Sequence, residues 1–413
     1  MYMKLLNKIL YLFIVMVFVF SHQSLVLAST KAPDIQAVSS IIIETGRGQV
    51  LFEKESKAKL HISSANKIMT ALLALEKARG QLDTLVTISK NAASVEGSIL
   101  NLEIGGKYSV GDLVHTVILT SANDSANALA EYVGGSTESF VNLMNNKAQE
   151  LKMTDTYFTN PTGLYDEAQY TTSFDIALLI RYSLGNSDFN EIFSSRAWSL
   201  SWGDSQVIVN SNELFWRYDG VDGGKTGYND LGKNTAITTV TRNGQRLICV
   251  VLDSPQQYED SAKVLDYAFN NFRLGLLVSK GQPLKRVSVG DESVDLVSKS
   301  DFYYTYPVGE NYIKDIVYSG IGQLSPPLTT GDEVGSVKYI LKDGTEIDIK
   351  LYPGTDVYSS VSFLSVIATK MIEYKELSIL LCILAFVEIM LIVYSLIKIV
   401  RNAVFKLIHN FRN

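Results

Sequence analysis

Cysteine and histidine are scarce in this sequence, and the scarcity excludes several kinds of site. Among 413 residues there are two cysteines, Cys249 and Cys382, and four histidines. Both cysteines lie in apolar runs, and neither a C-x-x-C nor an H-E-x-x-H motif occurs. We therefore expect no disulfide, no metal site and no cofactor. Two histidines lie near the chain ends, so a Ser-His-Asp triad would have to use His61 or His115.

Proline is also scarce, and basic residues are not in excess over acidic ones. The 8 prolines and 28 glycines are too few for a low-complexity chain, and the length allows two domains with additional segments. The net charge is −6, and because both ends of the chain are basic, residues 29–376 are more acidic still. An acidic central part argues against nucleic-acid binding.

The first 28 residues predict a secretory signal peptide. Lys4 and Lys8 precede an apolar run of twelve residues at 9–20, and small residues follow at 26–28. An apolar run of twelve is short for a membrane span, which favours a cleaved leader over the alternative of an uncleaved anchor.

Residues 377–400 predict a transmembrane helix, because this apolar stretch is long enough to cross a bilayer. Basic residues without acids follow, which predicts that residues 401–413 form a cytoplasmic tail and that the preceding domains lie outside the membrane. Glu388 near mid-span is unfavourable by roughly 2.5–3.5 kcal/mol on insertion scales. A helix lying in the outer interface is therefore the alternative.

Residues 61–76 predict a buried helix with polar residues in its first turn, because the sequence is apolar nearly all round from Ile68 onward. The helix is expected to end near Gly80, which would be its glycine C-cap. Ser64 and Lys67 are three residues apart and share a helix face. A hydroxyl at a helix N-terminus favours a developing oxyanion, and a lysine in an apolar pocket becomes a base near neutral pH. Alone, the S-x-x-K pattern is equally explained by an N-cap serine and a solvated lysine. Ser63 lies four residues before Lys67, so helix geometry does not exclude it.

Two further short motifs follow. Ser121-Ala122-Asn123 falls between a helix predicted to run through Thr120 and one predicted at 125–133, where its side chains can point into a cleft. Lys225-Thr226-Gly227 lies on or beside a strand that precedes a hairpin, for which Asn243-Gly244 predicts a type I′ turn. Lysine and threonine offer a cation and a hydroxyl for a carboxylate, and glycine permits close backbone approach. Alone, either motif fits an ordinary connection or turn.

In this order, S-x-x-K, S-x-N and K-T-G resemble the motif set of penicillin-binding proteins and serine β-lactamases. The wider sequence resembles the D-alanyl-D-alanine carboxypeptidases, the low-molecular-mass penicillin-binding proteins. The resembling segments are the predicted hairpin before the buried helix and residues 67–76, 121–131, 160–164 and 222–228. The Glu-Pro-rich loop segment typical of class A β-lactamases is missing between the second and third motifs, which favours a peptidase.

The resemblance implies a role for each motif residue. The catalytic residues would be Ser64 as nucleophile, Lys67 as general base, and Ser121 and Asn123 as proton-shuttling and substrate-holding groups. The substrate-binding residues would be Lys225 and Thr226 for the terminal carboxylate, with Gly227 and Tyr228. The backbone amides of Ser64 and Tyr228 would form the oxyanion hole.

Three residues depart from the family pattern. Ser63 stands where alanine is usual before the nucleophile, Asn66 where threonine is usual before the lysine, and Gln169 where histidine is often found. None of them removes a motif residue. We expect them to affect rate and fine specificity rather than the class of reaction.

The expected fold is α/β (α+β), the penicillin-binding/β-lactamase-like transpeptidase fold. It has a central antiparallel sheet with helices on both sides, a small all-β C-terminal domain and a C-terminal membrane helix. The expected limits are residues 1–28 for the signal peptide, 29–275 for the catalytic domain, 276–360 for the β-rich domain, 377–400 for the transmembrane helix and 401–413 for the tail. The β-rich domain would act as a stalk or, alternatively, as a binding module.

The sequence therefore predicts a membrane-anchored serine DD-carboxypeptidase that removes the terminal D-Ala from peptidoglycan stem pentapeptides. β-Lactam antibiotics would acylate Ser64 as covalent inhibitors. The alternatives are a non-catalytic wall-binding or sensor protein with a degenerate site and, among enzymes, a β-lactamase or a DD-endopeptidase.

Overall fold

The computed structural model describes residues 31–410 except 62, 203–205, 229–233, 291 and 359–369. The predicted signal peptide lies outside the described residues, as do the last three residues of the predicted tail. The chain divides into two compact units. The first holds the residues up to Leu277 with 302–315 and 340–346, and the second holds the rest. The exact domain limits given above remain a prediction.

Strands and helices alternate in the first unit, whereas strands dominate the later part of the chain. In chain order the described strands are β1 (Ser39–Glu44), β2 (Val50–Lys54), β3 (Leu85–Thr87), β4 (Lys107–Ser109), β5 (Ala197–Ser199), β6 (Val207–Val209), β7 (Val221–Tyr228), β8 (Asn234–Arg242), β9 (Gln245–Ser254), β10 (Phe272–Val278), β11 (Pro283–Val289), β12 (Glu292–Val297), β13 (Phe302–Pro307), β14 (Ile313–Ser319), β15 (Gly335–Leu341) and β16 (Glu346–Pro353). The described helices are α1 (Lys67–Ala78), α2 (Lys90–Ala93), α3 (Val110–Leu119), α4 (Asn123–Gly134), α5 (Thr137–Glu150), α6 (Ser173–Ser183), α7 (Ser187–Phe193), α8 (Leu214–Arg217), α9 (Gln257–Asn271) and α10 (Lys375–Asn410).

A five-stranded antiparallel sheet in the order β2-β1-β9-β8-β7 forms the centre of the first unit. Successive side chains of a strand point to opposite faces, and both faces of this sheet are covered. Ile41 and Ile43 of β1 belong to the core that contains α1, whereas Ile42 belongs to the core that contains α9. Burying one such side chain contributes about 1.5–3 kcal/mol. The predicted central sheet with helices on both sides is confirmed.

Helix α1 lies inside the first unit rather than on its surface, as its apolar sequence predicts. Every residue from Lys67 to Leu75 is buried. The helix ends one residue earlier than the predicted glycine cap, because Arg79 adopts the left-handed conformation at φ 50° and its amide donates to the Leu75 carbonyl. Gly80 follows with φ 82°. The early end does not change which residues begin the helix, and these form the site described below.

The hairpin turns lie where the sequence predicts them. Asn243 and Gly244 both have positive φ, at 49° and 77°, as the predicted type I′ turn between β8 and β9 requires. After this turn β9 returns through the middle of the sheet, which places β7 at its edge. Residues Lys225, Thr226 and Gly227 lie on β7 and therefore on an edge strand, where one side remains accessible to a substrate.

A second five-stranded sheet, in the order β11-β12-β16-β15-β14, forms the predicted all-β C-terminal domain. Buried and exposed residues alternate along its strand β16. On β16, Ile347, Ile349 and Leu351 are buried and the residues between them are more exposed. Gly344, at φ 87°, lies in the turn that joins β15 to β16. Such alternation is typical of a sheet with one apolar and one solvated face.

Helix α10 is the described helix that is long and apolar enough to cross a membrane. Its segment Ile379–Asn402 is 24 residues long and predominantly apolar. Its ability to span a membrane is judged from length and composition. The helix continues past the predicted span to Asn410.

Candidate active site

The first turn before α1 brings Ser64 and Lys67 to one cleft. Ser64 begins a short 3₁₀ turn (Ser64–Asn66), and Lys67 is the first residue of α1. Both side chains line a cleft of about 760 Å³. Ser63 precedes the turn and is buried, so the serine in the S-x-x-K register is the more accessible of the two.

Lys67 is almost completely buried, with 1% of its surface exposed. Its Nζ donates a hydrogen bond of 2.5 Å to the Thr162 carbonyl oxygen, and no carboxylate pairs with it among the described residues. Burial without a counter-ion disfavours the charged form, and it lowers the pKa of Lys67 from 10.5 to about 7. The alternative of a solvated first-turn lysine is therefore wrong.

Ser121 lies at the junction between α3 and α4, as predicted. It adopts the left-handed conformation at φ 61°, which is uncommon for a residue other than glycine and costs on the order of 1 kcal/mol. In this conformation its Oγ accepts a hydrogen bond from the Lys225 Nζ. Backbone strain in the S-x-N motif is thus coupled to a contact with the K-T-G motif.

Asn123 begins α4, two residues earlier than the helix start that the sequence predicts. Its Nδ2 donates to the Glu96 carbonyl at 2.6 Å, and its backbone amide donates to the Ser98 carbonyl at 2.7 Å. These bonds hold the side chain at the cleft wall. Gly97 passes so close that an added Cβ would lie 2.7 Å from the Asn123 Nδ2.

Lys225 is fully buried and donates to the Thr226 carbonyl oxygen at 2.6 Å. Burial, and after it the charge of Lys67, hold the pKa of Lys225 well below its usual value. Thr226 lines the cleft, and its Oγ1 is 2.5 Å from the Ser211 Oγ. The structure therefore places the amines of Lys67 and Lys225 and the hydroxyls of three motif residues, Ser64, Ser121 and Thr226, in one site.

Gly227 allows β7 to pass directly beside the catalytic turn. A Cβ at this position would lie 2.3 Å from the Ser63 Oγ and 3.3 Å from the Ser64 backbone nitrogen. The requirement for glycine is therefore one of close approach, as predicted. Tyr228 follows on the same strand, lines the cleft and is 64% exposed.

Several residues of the cleft are not predicted from the sequence. Ser211 contacts Thr226, and the Tyr258 hydroxyl donates to the Ser211 carbonyl at 2.9 Å. Thr162 supplies the acceptor for Lys67. The turn-forming residues Asn160-Pro161-Thr162-Gly163 are the feature of the sequence that marks this loop. His61 lines the cleft, whereas His115 is buried against Trp198 at a ring separation of 3.7 Å.

Comparisons with known proteins agree with this geometry. The family model described as D-alanyl-D-alanine carboxypeptidase matches residues 27–256, and the model described as the penicillin-binding protein 5 C-terminal domain matches residues 272–359. The D-alanyl-D-alanine carboxypeptidase DacF of Bacillus subtilis is 32% identical over 322 residues, which cover 75% of this chain and 82% of that protein.

Solved structures show the same likeness. Penicillin binding protein 5 from Haemophilus influenzae is 28% identical with a TM-score of 0.66, covering 80% of this chain and 100% of that one. The Streptococcus pneumoniae structure described as a peptidoglycan synthesis regulatory factor (PBP3) is 25% identical with a TM-score of 0.68, covering 78% of this chain and all of that one. With three motifs meeting in one cleft and a family model that matches more than half of the sequence, the chain belongs to the D-alanyl-D-alanine carboxypeptidase family.

Proposed function

We propose that this serine DD-carboxypeptidase removes the terminal D-Ala from peptidoglycan stem pentapeptides through an acyl-enzyme on Ser64. The observation that carries the proposal is the buried Lys67 amine, three residues after Ser64, whose pKa is lowered to about 7. A lysine that is neutral near ambient pH can accept a proton, which a solvated lysine cannot do.

In the acylation step, neutral Lys67 takes the proton of the Ser64 hydroxyl as its Oγ attacks the carbonyl carbon of the penultimate D-Ala. The backbone amides of Ser64 and Tyr228 stabilise the oxyanion that forms. The approach of Gly227 to the Ser64 nitrogen supports this assignment, because it brings β7 to that amide. The C–N bond then breaks, and the terminal D-Ala leaves with a proton returned from Lys67 through Ser121.

Lys225 and Thr226 bind the terminal carboxylate in this proposal, and Asn123 holds the substrate amide. Two buried amines close to each other resist carrying two charges, and the charge of Lys67 is, after burial, a cause of the low pKa of Lys225. A carboxylate arriving beside Lys225 favours the charge there. Lys67 then stays neutral, so substrate binding itself prepares the base.

Water completes the cycle by hydrolysing the ester on Ser64, which releases the shortened peptide. β-Lactams would acylate the same hydroxyl, because their strained amide occupies the place of the D-Ala–D-Ala bond. The family assignment does not favour a non-catalytic wall-binding or sensor protein.

The same proposal places the catalytic domain outside the cell membrane. A signal peptide at residues 1–28 would export the chain, α10 would anchor it through one span, and the basic residues that follow would stay in the cytoplasm. The β-rich domain would then act as a stalk that sets the active site at a distance from the membrane.

Mass spectrometry of the full chain in detergent, treated with benzylpenicillin, tests the proposal together with an assay of D-Ala release from a stem pentapeptide. We expect one penicilloyl adduct on Ser64 and release of D-Ala. An adduct on Ser63, or the absence of both adduct and D-Ala release, would overturn the proposal.

A further inference from the structure

We propose that Asn66 and Gln169 form a buried tie that holds the loop of residues 159–164 against the catalytic turn and thereby positions the Lys67 amine. The inference rests on the role of Lys67 in the proposed function. Both residues are departures from the family pattern at separate places in the sequence, and the structure shows that they contact each other.

Asn66 uses both hydrogens of its side-chain amide for this tie. Its Nδ2 donates to the Asn160 carbonyl oxygen at 2.5 Å and to the Gln169 Oε1 at 3.1 Å. Asn66 is completely buried and Gln169 is 1% exposed. Neither bond therefore competes with bulk water, and each is worth more than a surface contact.

Gln169 holds the loop at both of its ends. Its Oε1 also accepts from the backbone amides of Thr159 at 3.1 Å and Asn160 at 3.4 Å. Its Nε2 donates to the Leu164 carbonyl oxygen at 3.2 Å. One side chain thus fixes the start and the end of the loop, and Asn66 connects that side chain to the catalytic turn.

The loop held in this way accepts two hydrogen bonds from side chains of α1. The Thr162 carbonyl oxygen accepts from the Lys67 Nζ at 2.5 Å, and the Pro161 carbonyl oxygen accepts from the Thr70 Oγ1 at 2.7 Å. The position of Thr162 therefore sets where the Lys67 amine lies.

The fit between the loop and the catalytic turn leaves no spare room. A Cβ added to Gly163 would lie 2.3 Å from the Ser63 carbonyl oxygen and 3.1 Å from the Asn66 Cβ. Gly163 has φ 75°, so glycine is also the residue that the backbone conformation requires. Water enters this contact only when the loop moves away.

One atom of the tie is not satisfied. Among the described residues, the Asn66 Oδ1 is a buried acceptor without a partner. Leaving such a group unpaired costs about 1–3 kcal/mol. An apolar residue of similar size would avoid this penalty, so the two donated bonds are the physical reason for an amide at this position.

Loosening the tie would change the titration of Lys67 in a definite direction. Lys225 on β7 is the other amine of the site, and its pKa is lowered in part by the charge of Lys67. The other titratable side chains at the cleft are His61, Tyr165, Tyr228 and Tyr258. Admitting water weakens the desolvation that lowers the pKa of Lys67, so that pKa rises. Less of the amine is then neutral at pH 7.

The pH dependence of acylation by a fluorescent penicillin tests the tie on the full chain in detergent. For the wild type, the acid limb of the acylation rate constant should lie near the Lys67 pKa of about 7. Asn66→Ala should move this limb upward by about one pH unit and slow acylation at pH 7 roughly fivefold, while the plateau at high pH is largely retained. Gln169→Met keeps the side-chain length, removes the hydrogen bonds and should move the limb in the same direction.

Asn145→Ala is the matched control. The Asn145 amide donates to the Val141 and Phe158 carbonyls and accepts from the Phe158 amide, so it holds the chain just before the loop without contacting Asn66 or Gln169. This variant should melt at a lower temperature with its acid limb unmoved. If Asn66→Ala and Gln169→Met lower the rate by one factor at every pH, the tie is only structural and the inference is overturned. Gln169→Met alone decides if Asn66→Ala does not fold.

The failure of the proposed function is distinguishable from this outcome. Wild-type protein that is acylated without an acid limb, or Lys67→Met acylated as fast as the wild type, would remove the base role of Lys67 and with it the inference. A normal wild-type limb with unmoved variants would remove the inference alone.

Discussion

The cleft of the first unit and the sheet of the β-rich domain treat their lysines in opposite ways. Lys67 and Lys225 are buried, have no carboxylate partner among the described residues, and have lowered pKa values. Lys350 on β16 is solvent-exposed and lies 2.7 Å from the Glu333 carboxylate, which raises its pKa. The charged form of Lys350 is therefore stabilised by its surroundings, whereas the charged forms of Lys67 and Lys225 are disfavoured by burial. This difference shows that the lysines able to act as bases near neutral pH are the buried ones of the cleft, because burial lowers their pKa values.

The largest effect should come from the nucleophile. Ser64→Ala should reduce penicillin acylation and D-Ala release by roughly 10⁴-fold or more, because it removes the hydroxyl that the proposal makes the nucleophile. Ser63→Ala is the matched control and should keep acylation within about tenfold of the wild type. The comparison breaks if the two variants exchange these results, since the reactive hydroxyl would then be the buried one.

The next effect separates function from stability at Lys67. Lys67→Met should slow acylation by roughly 10²–10⁴-fold and yet raise the free energy of unfolding at pH 7, because it removes an amine whose burial opposes its charge. The folded pKa of about 7 is below the unfolded value of 10.5, so the unfolded wild type binds more protons between these values. Wild-type stability should therefore rise with pH across this window, and its deficit relative to Lys67→Met should shrink.

Urea unfolding of both proteins at several pH values measures this difference. Lys350→Met is the matched control, because an exposed lysine whose pKa is raised should give no wild-type deficit that shrinks as the pH rises. Equal pH slopes for the wild type and Lys67→Met would contradict the account of the cleft.

A smaller effect should come from the contact between β7 and the catalytic turn. Gly227→Ala should slow acylation and destabilise the fold by about 1–3 kcal/mol, because its Cβ would lie 2.3 Å from the Ser63 Oγ. Ser63→Ala in the same chain removes that oxygen and should restore part of both losses. Kinetics and thermal unfolding of the double variant check this. Losses that simply add would show that the serine is not the obstacle.

The smallest effect should come from the β-rich domain. Lys350→Gln removes an exposed ion pair with Glu333, and such pairs contribute little because water screens them. We expect the acylation rate at pH 7 to be unchanged. A clear loss of acylation would mean that an exposed lysine of the β-rich domain also contributes to the reaction, which contradicts the contrast between the two regions.

The sequence predicts the parts of the site that depend on local pattern. Helix periodicity and the motif register select Ser64 and Lys67, and the junction and strand patterns give approximate places for Ser121 and Lys225. The type I′ turn follows from Asn243-Gly244, because these residues adopt positive φ readily. The roles of all these residues remain proposals.

What the sequence could not give depends on contacts between distant residues. Thr162 meets Lys67 across 95 positions, and Asn66 meets Gln169 across 103. No periodicity reports such pairs. The left-handed conformation of Ser121 is equally hidden, because a local preference would place glycine or asparagine there. Local conformational preference therefore does not predict the backbone at Ser121, whose side chain contacts the distant Lys225.

An NMR titration of the Lys67 side chain tests the central claim most directly. The full chain in detergent would carry ¹³C at the lysine Cε atoms, and the Lys67→Met variant would assign the signal. The account predicts that this amine titrates at about pH 7, far below the value of 10.5 for a solvated lysine. A signal that stays in the charged form until the solvated lysines titrate would contradict it, because Lys67 could then not serve as a base.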